Sequence, residues 1–211
     1  MFGTRFEAIR PFLEAQPYIK SCEWTWGCKI THDFSGFRSN YQLHGNLAVQ
    51  QANHIGVTIE PGCPWLSVPS PNRVAAAVIA RSSRYHNPLF PWRKILSSYP
   101  DKVFVGTLAE HKEFAASYGE IAYYETKDLL ELARVIAGAE QVIVNQTCAW
   151  WLSAGLGVPT IQETMQRDQN SIIERQGLRY TRDIGEVNTL LNSLSASRPS
   201  SSCAIQSVAP S

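Results

Sequence analysis

Residues Thr126 to Glu163 read TKDLLELARVIAGAEQVIVNQTCAWWLSAGLGVPTIQE, and the fold follows from how this stretch is parsed. Leu129, Leu130, Ala133, Ile136 and Ala137 recur at helical spacing and form one apolar stripe. Thr126 offers an N-cap, Asp128 falls in the first turn where the helix dipole favours an anion, and Gly138 stands where a left-handed residue would end the helix. Gln141 to Val144 is a short β-branched run, Asn145-Gln146-Thr147 is polar, and Cys148 to Leu156 resumes apolar residues at helical spacing before Gly157-Val158-Pro159. The spacing predicts helix, strand, polar turn, helix, strand. In a parallel sheet such a turn lies at the carboxyl end of a strand, where the N-H groups that open the next helix hold phosphates.

The same alternation extends towards the N-terminus. Val74 to Ala80 is a continuous apolar run of the kind expected for a strand buried on both faces. After it come a polar, basic loop, Arg81 to Pro88, a helix from Pro91-Trp92 to Tyr99, a strand at Val103 to Gly106, a helix from Glu110 to Tyr118 and a strand at Ile121 to Tyr124. Pro159 to Gln162 supplies the last strand. This predicts a right-handed, Rossmann-like parallel α/β sheet of about five strands flanked by helices. Ser171 to Gln176 and Ile184 to Leu194 read as two further helices, and from Ser195 the Ser, Ala and Pro content predicts a disordered tail.

Residues 1 to 72 read differently. Phe6, Ile9, Phe12 and Leu13 give a helical stripe with Pro11 inside, so a helix either begins near Pro11 or is kinked there. Tyr18 to Trp26 reads as a strand ended by Gly27, and Asn46 to His54 as a short helix ended by Gly56. Thr58 to Pro71 carries Pro61, Pro64, Pro69 and Pro71, which excludes a regular helix and marks an extended linker. The expected organisation is a partial N-terminal α+β segment with its Pro-rich linker over 1 to 72, a Rossmann-like domain over 73 to 194, and a tail over 195 to 211.

Composition narrows the partners. With 19 basic and 18 acidic residues in 211, the formal net charge is +1, so no whole-molecule field argues for a nucleic acid or an anionic membrane. No apolar run approaches the roughly 20 residues that span a bilayer, and the N-terminus has no signal-peptide layout, which predicts a soluble cytoplasmic protein. Cys22, Cys28, Cys63, Cys148 and Cys203 are odd in number and contain no CxxC pair, which argues for ordinary reduced thiols over a zinc site or a disulfide framework. No metal and no cofactor is expected.

The stretch NQTCAWWLSAGLGVP resembles the strand-turn-helix motif in the C-terminal domain of heptosyltransferase-type glycosyltransferases of the GT-B fold, and the resemblance extends more weakly from about Val74 to Glu163. The usual pattern there is an Asp-Ser/Thr-Gly triplet followed by a His. Here Asn145, Gln146 and Thr147 stand in the triplet's region, with Trp150 and Trp151 near the expected His. The resemblance implies a domain that binds the diphosphate of a nucleotide-sugar donor and transfers the sugar to a glycan or lipid-linked acceptor.

Arg81 and Arg84 flank Ser82-Ser83 after the first strand of this domain, and their forked guanidinium groups suit a diphosphate. Asn145, Gln146 and Thr147 are candidates for the same diphosphate, Thr147 being also an N-cap. The resemblance implies that Glu163 accepts hydrogen bonds from the donor ribose. Gly106 permits close backbone approach on the ribose or base side, while Glu110 belongs to the first turn of a helix. In the family the catalytic base comes from the N-terminal domain, and the matching strand is absent, so no base is assigned. His32 and Asp33 are an acid-base pair only by adjacency. The aromatics of residues 1 to 72, including Trp24 and Trp26, are expected to pack on the α/β unit or on a second chain in a homo-oligomer. Two alternatives stand beside the transferase: a non-catalytic interaction protein that retains the fold, and a sugar-nucleotide epimerase-like enzyme.

Overall fold

Ala77–Ala80 is buried at every position and forms β1, the strand around which the sheet is built. The computed structural model describes residues 2–27, 29–33, 36, 45–165 and 170–181. Five more strands follow: β2 (Lys102–Val105), β3 (Tyr123–Tyr124), β4 (Gln141–Asn145), β5 (Thr160–Glu163) and β6 (Leu178–Thr181). All pair in parallel in the order β3-β2-β1-β4-β5-β6. The chain therefore winds outward from β1 on one side and from β4 on the other, and the direction of winding reverses between these two strands. Helices α3 (Trp92–Ser98), α4 (Leu108–Tyr118), α5 (Leu129–Gly138) and α6 (Cys148–Leu156) connect them.

Strand alternation divides the core. Val78, Val103, Val105, Val142 and Val144 pack with Ala133 and Ile136 of α5 and Trp150 and Ala154 of α6. Ala77, Ile79, Phe104, Ile143 and Ile161 pack on the opposite face with Trp92 and Ile95 of α3 and Phe114 of α4. The buried strands read as unbroken apolar runs because both faces are covered.

Two helix ends differ from their sequence reading. Asp128, not Thr126, caps α5, its side chain accepting from Glu131 N. Gly138 is the last residue of that helix and is not left-handed; a Cβ there would lie 2.4 Å from the Asn72 carbonyl. The glycine answers to close approach by another chain segment, which local patterning does not reveal.

The N-terminal region has α1 (Phe2–Glu14), with Pro11 inside it, and α2 (Leu47–His54), capped by Asn46. Tyr18–Trp26 forms no strand: the segment is irregular, with Trp24 54% and Trp26 86% exposed and touching each other. A strand needs a paired neighbour, and this segment lies outside the sheet. Phe12, by contrast, is buried among α5 residues. Gln16 is also buried; it donates to Phe12 O and Ser67 O and accepts from Ser67 N.

The proline-rich stretch is a strap laid on α5 and α6. Trp65 N and Leu66 N both donate to Gly155 O at 2.9 Å, and Asn72 N donates to Arg134 O. The prolines remove donors from the strap, and the N-H groups of Trp65, Leu66 and Asn72 find helix carbonyls while Ser67 N finds the Gln16 side chain.

Ser171–Gln176 is not a helix. It is irregular and leads into β6, the sixth strand where about five were expected. The segment is held by side chains: Tyr180 Oη accepts from Ile173 N and donates to Ile173 O. The helix expected over Ile184–Leu194 and the tail from Ser195 lie outside the described residues. Cys63 is disulfide-bonded, against the expectation of reduced thiols; Cys22 and Cys148 are free among the described residues. No described helix is long and apolar enough to cross a membrane.

Candidate functional site

The loops after β1, β2, β4 and β5 open on the carboxyl edge of the sheet, and the switch in winding direction puts a crevice between the ends of β1 and β4. In sheets of this kind ligands bind at that place. Four segments lie at this edge of the sheet: the β1–α3 loop, Gly106 after β2, the Asn145-Gln146-Thr147 turn with the start of α6, and the end of β5.

Arg81, the residue after β1, and Glu163, the last residue of β5, meet each other. Arg81 Nε and Nη2 donate to the two carboxylate oxygens of Glu163 at 2.7 and 3.0 Å. Glu163 is fully buried and also accepts from Asn87 N at 2.9 Å and from Trp92 Nε1 at 3.1 Å. The guanidinium carbon lies 5.8 Å from the Trp92 ring centroid and 5.3 Å from that of Tyr118. A buried charge is tolerated when it is paired and its remaining lone pairs are satisfied, and both conditions hold here. The ribose role expected of Glu163 does not fit this geometry, because four protein donors already fill its oxygens. Arg81, 9% exposed, gives Nε and Nη2 to Glu163.

Asn145 is fully buried and is directed at the β1–α3 loop. Its Oδ1 accepts from Ser82 N at 3.1 Å, while Nδ2 donates to Ser82 O at 3.1 Å and to Arg84 O. The direct ligand contact expected of Asn145 is thus replaced by contacts to backbone. Gln146 Oε1 accepts from Met165 N at 2.9 Å. Arg84 is exposed, with its guanidinium 5.4 Å from the ring of Tyr85, a residue with φ of 58°. His86 Nε2 donates to Ser82 O at 2.7 Å, which fixes the proton on that nitrogen.

Thr147 is the N-cap of α6, yet its side chain makes no capping bond, and its Oγ1 is buried without a partner. Thr147 N donates to Asn145 O at 2.8 Å, which braces the turn. Cys148, the first helical residue, is exposed. Gly106 has φ of 134°, and its carbonyl accepts from Tyr123 Oη at 3.0 Å; a Cβ there would lie 3.0 Å from Glu110 Oε2. Glu110 does sit in the first turn of α4, where it accepts from Thr107 N and Thr107 Oγ1. His32 and Asp33 are exposed on the irregular stretch between α1 and α2.

The structure therefore joins Arg81 to Glu163 and Asn145 to Arg84, and sets Thr147 directly behind Asn145. Asn87 and Trp92 escaped the sequence reading. Their only signals were turn and helix-start chemistry at Asn87-Pro88 and Pro91-Trp92.

No protein-family model matches the chain, and no curated protein matches it. Solved structures do. The Escherichia coli ADP-heptose LPS heptosyltransferase II is 12% identical with a TM-score of 0.49, over 73% of this chain and 64% of that one. A glycosyl transferase of family 9 from Veillonella parvula is 13% identical with a TM-score of 0.46, over 71% and 53% respectively. The E. coli heptosyltransferase WaaC with ADP-2-deoxy-2-fluoro heptose is 18% identical with a TM-score of 0.42, over 68% and 53%. The matched region spans about half to two thirds of the length of these similar structures.

Proposed function

We propose that the crevice between β1 and β4 binds the diphosphate of a nucleotide-sugar donor, and that the chain is a glycosyltransferase-like protein acting on the donor side of sugar transfer. The observation that carries this reading is the start of α6 at the topological switch point: a helix N-terminus without a side-chain cap, beside a threonine hydroxyl that lacks a protein partner. Thr147 Oγ1 and the first N-H groups of α6 donate to phosphate oxygens. Arg84 supplies an exposed positive charge, and the guanidinium of Arg81 adds donors held rigid by Glu163. The motif NQTCAWWLSAGLGVP, read above as resembling heptosyltransferase-type enzymes, supports the same ligand class.

The carboxylates nearest the crevice are engaged, Glu163 with Arg81 and Glu110 with Thr107. We assign no base; the proposed acceptor is a glycan or lipid-linked saccharide. Titration calorimetry with UDP-, ADP- and GDP-sugars and with inorganic pyrophosphate tests the proposal. Binding at millimolar concentration or tighter, weakened by salt and by Arg84→Ala and Thr147→Ala, is the expected result. Absence of binding, or variants indistinguishable from the parent chain, overturns it.

A further inference from the structure

We infer that Asn145 is a positioning residue: it latches the Ser82–Tyr85 turn so that Arg84 is presented to the crevice, and acts on a phosphate ligand only through that turn. The inference rests on the diphosphate-binding reading and adds to it a division of labour between a residue that touches ligand and one that does not.

The turn is pinned at both ends. Arg81 and Asn87 are tied to Glu163, and Asn87 Nδ2 donates to Thr164 O. Between these anchors the backbone passes through Tyr85 at φ 58°, a left-handed conformation disfavoured for a side chain of this size and held only where surrounding contacts enforce it. Those contacts come chiefly from Asn145, whose amide accepts from Ser82 N and donates to Ser82 O and Arg84 O. His86 Nε2 shares Ser82 O, and Ser82 Oγ accepts from Arg84 N at 3.4 Å. A fully buried amide with all its polar atoms directed at a neighbouring loop has none left for a ligand, so its influence passes through the backbone of Arg84. An exposed arginine on an unlatched loop would have to be ordered on binding, which lowers affinity.

The test is a double-mutant cycle read as pyrophosphate affinity, at a temperature well below unfolding so that lost stability does not enter. Arg84→Ala is expected to weaken binding about tenfold and Asn145→Ala about fivefold, and the double variant about tenfold, because removing the arginine leaves the latch nothing to position. Amide exchange at Ser82 should accelerate in Asn145→Ala. If Asn145→Ala does not fold, Asn145→Ser, too short to hold both Ser82 and Arg84, completes the cycle. A double variant weakened about fiftyfold, the product of the singles, means direct and independent contact and overturns the inference. So does an Asn145 variant with unchanged affinity. Failure of the parent chain to bind pyrophosphate is a different result, which removes the diphosphate-binding reading itself.

Discussion

Thr107 and Thr147 hold the same place in two strand-to-helix turns on one edge of the sheet, and they are used in opposite ways. At α4 the Thr107 hydroxyl accepts from Glu110 N, and the Glu110 carboxylate returns to Thr107 N at 2.9 Å and Oγ1 at 2.8 Å, so the helix start is sealed by its own sequence. At α6 the residue three positions on is Trp150, whose indole runs into the core and donates to Ser171 O; no carboxylate arrives, and the Thr147 hydroxyl is left without a partner. One N-cap residue type thus yields a finished structural turn or an unfinished one, depending on the residue one helical turn later. The unfinished one sits where the sheet changes its winding direction.

The largest effect is expected where sealing is most complete. Glu163→Ala strands the buried Arg81 charge and should cost roughly 3–5 kcal/mol, a fall in Tm on the order of 10 °C by calorimetry. A loss below about 1 kcal/mol would show that the pair does not belong to the sealed side. Next, Gly106→Ala places a methyl 3.0 Å from Glu110 Oε2 on backbone at φ 134°, and should cost about 1–3 kcal/mol in denaturant unfolding by unseating the α4 cap. The direct contrast is smaller. Thr107→Ala should lose about 1 kcal/mol, while Thr147→Ala in the ligand-free protein stays within about 0.5 kcal/mol of the parent chain. Equal losses at the two threonines would dissolve the comparison. Smallest of all, Cys148→Asp supplies α6 with an anion of its own and should raise stability by about 0.3–1 kcal/mol while weakening pyrophosphate binding. Lower stability combined with unchanged binding would mean that the α6 start is not an anion site.

The α/β series was legible because each buried strand and helix advertises itself locally: apolar Val74 to Ala80, the stripe from Leu129 to Ala137, the β-branched Gln141 to Val144. What was illegible depends on partners distant in the chain. Arg81 and Glu163 are 82 positions apart, and nothing local distinguishes a ligand-binding arginine from one that finds a carboxylate in its own sheet. Tyr18–Trp26 has strand composition, but no neighbour pairs with it. Ser171–Gln176 has helix-like apolar spacing, yet buried Ser171 donates to Gln162 Oε1 and Ile173 is held by Tyr180, so side-chain bonds replace helical ones. Gly138 has the composition of a helix terminator, whereas its missing Cβ makes room for Asn72. The N-cap position of Thr147 is legible from its place before an apolar helix; that its hydroxyl stays unpaired follows from the orientation of Trp150, which periodicity does not encode.

The strap over α5 and α6 has a consequence for a broken chain. Gln16 grips Ser67 through both of its amide atoms, Tyr18 Oη donates to Trp65 O, and Trp65 and Leu66 are fastened to Gly155. The bond between α1 and the rest of the protein is therefore non-covalent as well as covalent. A chain nicked by a protease between α1 and α2 should elute as one particle under native conditions and separate only in denaturant that also contains a reductant, because Cys63 is disulfide-bonded. Two fragments produced apart should reassemble on mixing, with Phe12 returning to its place against α5.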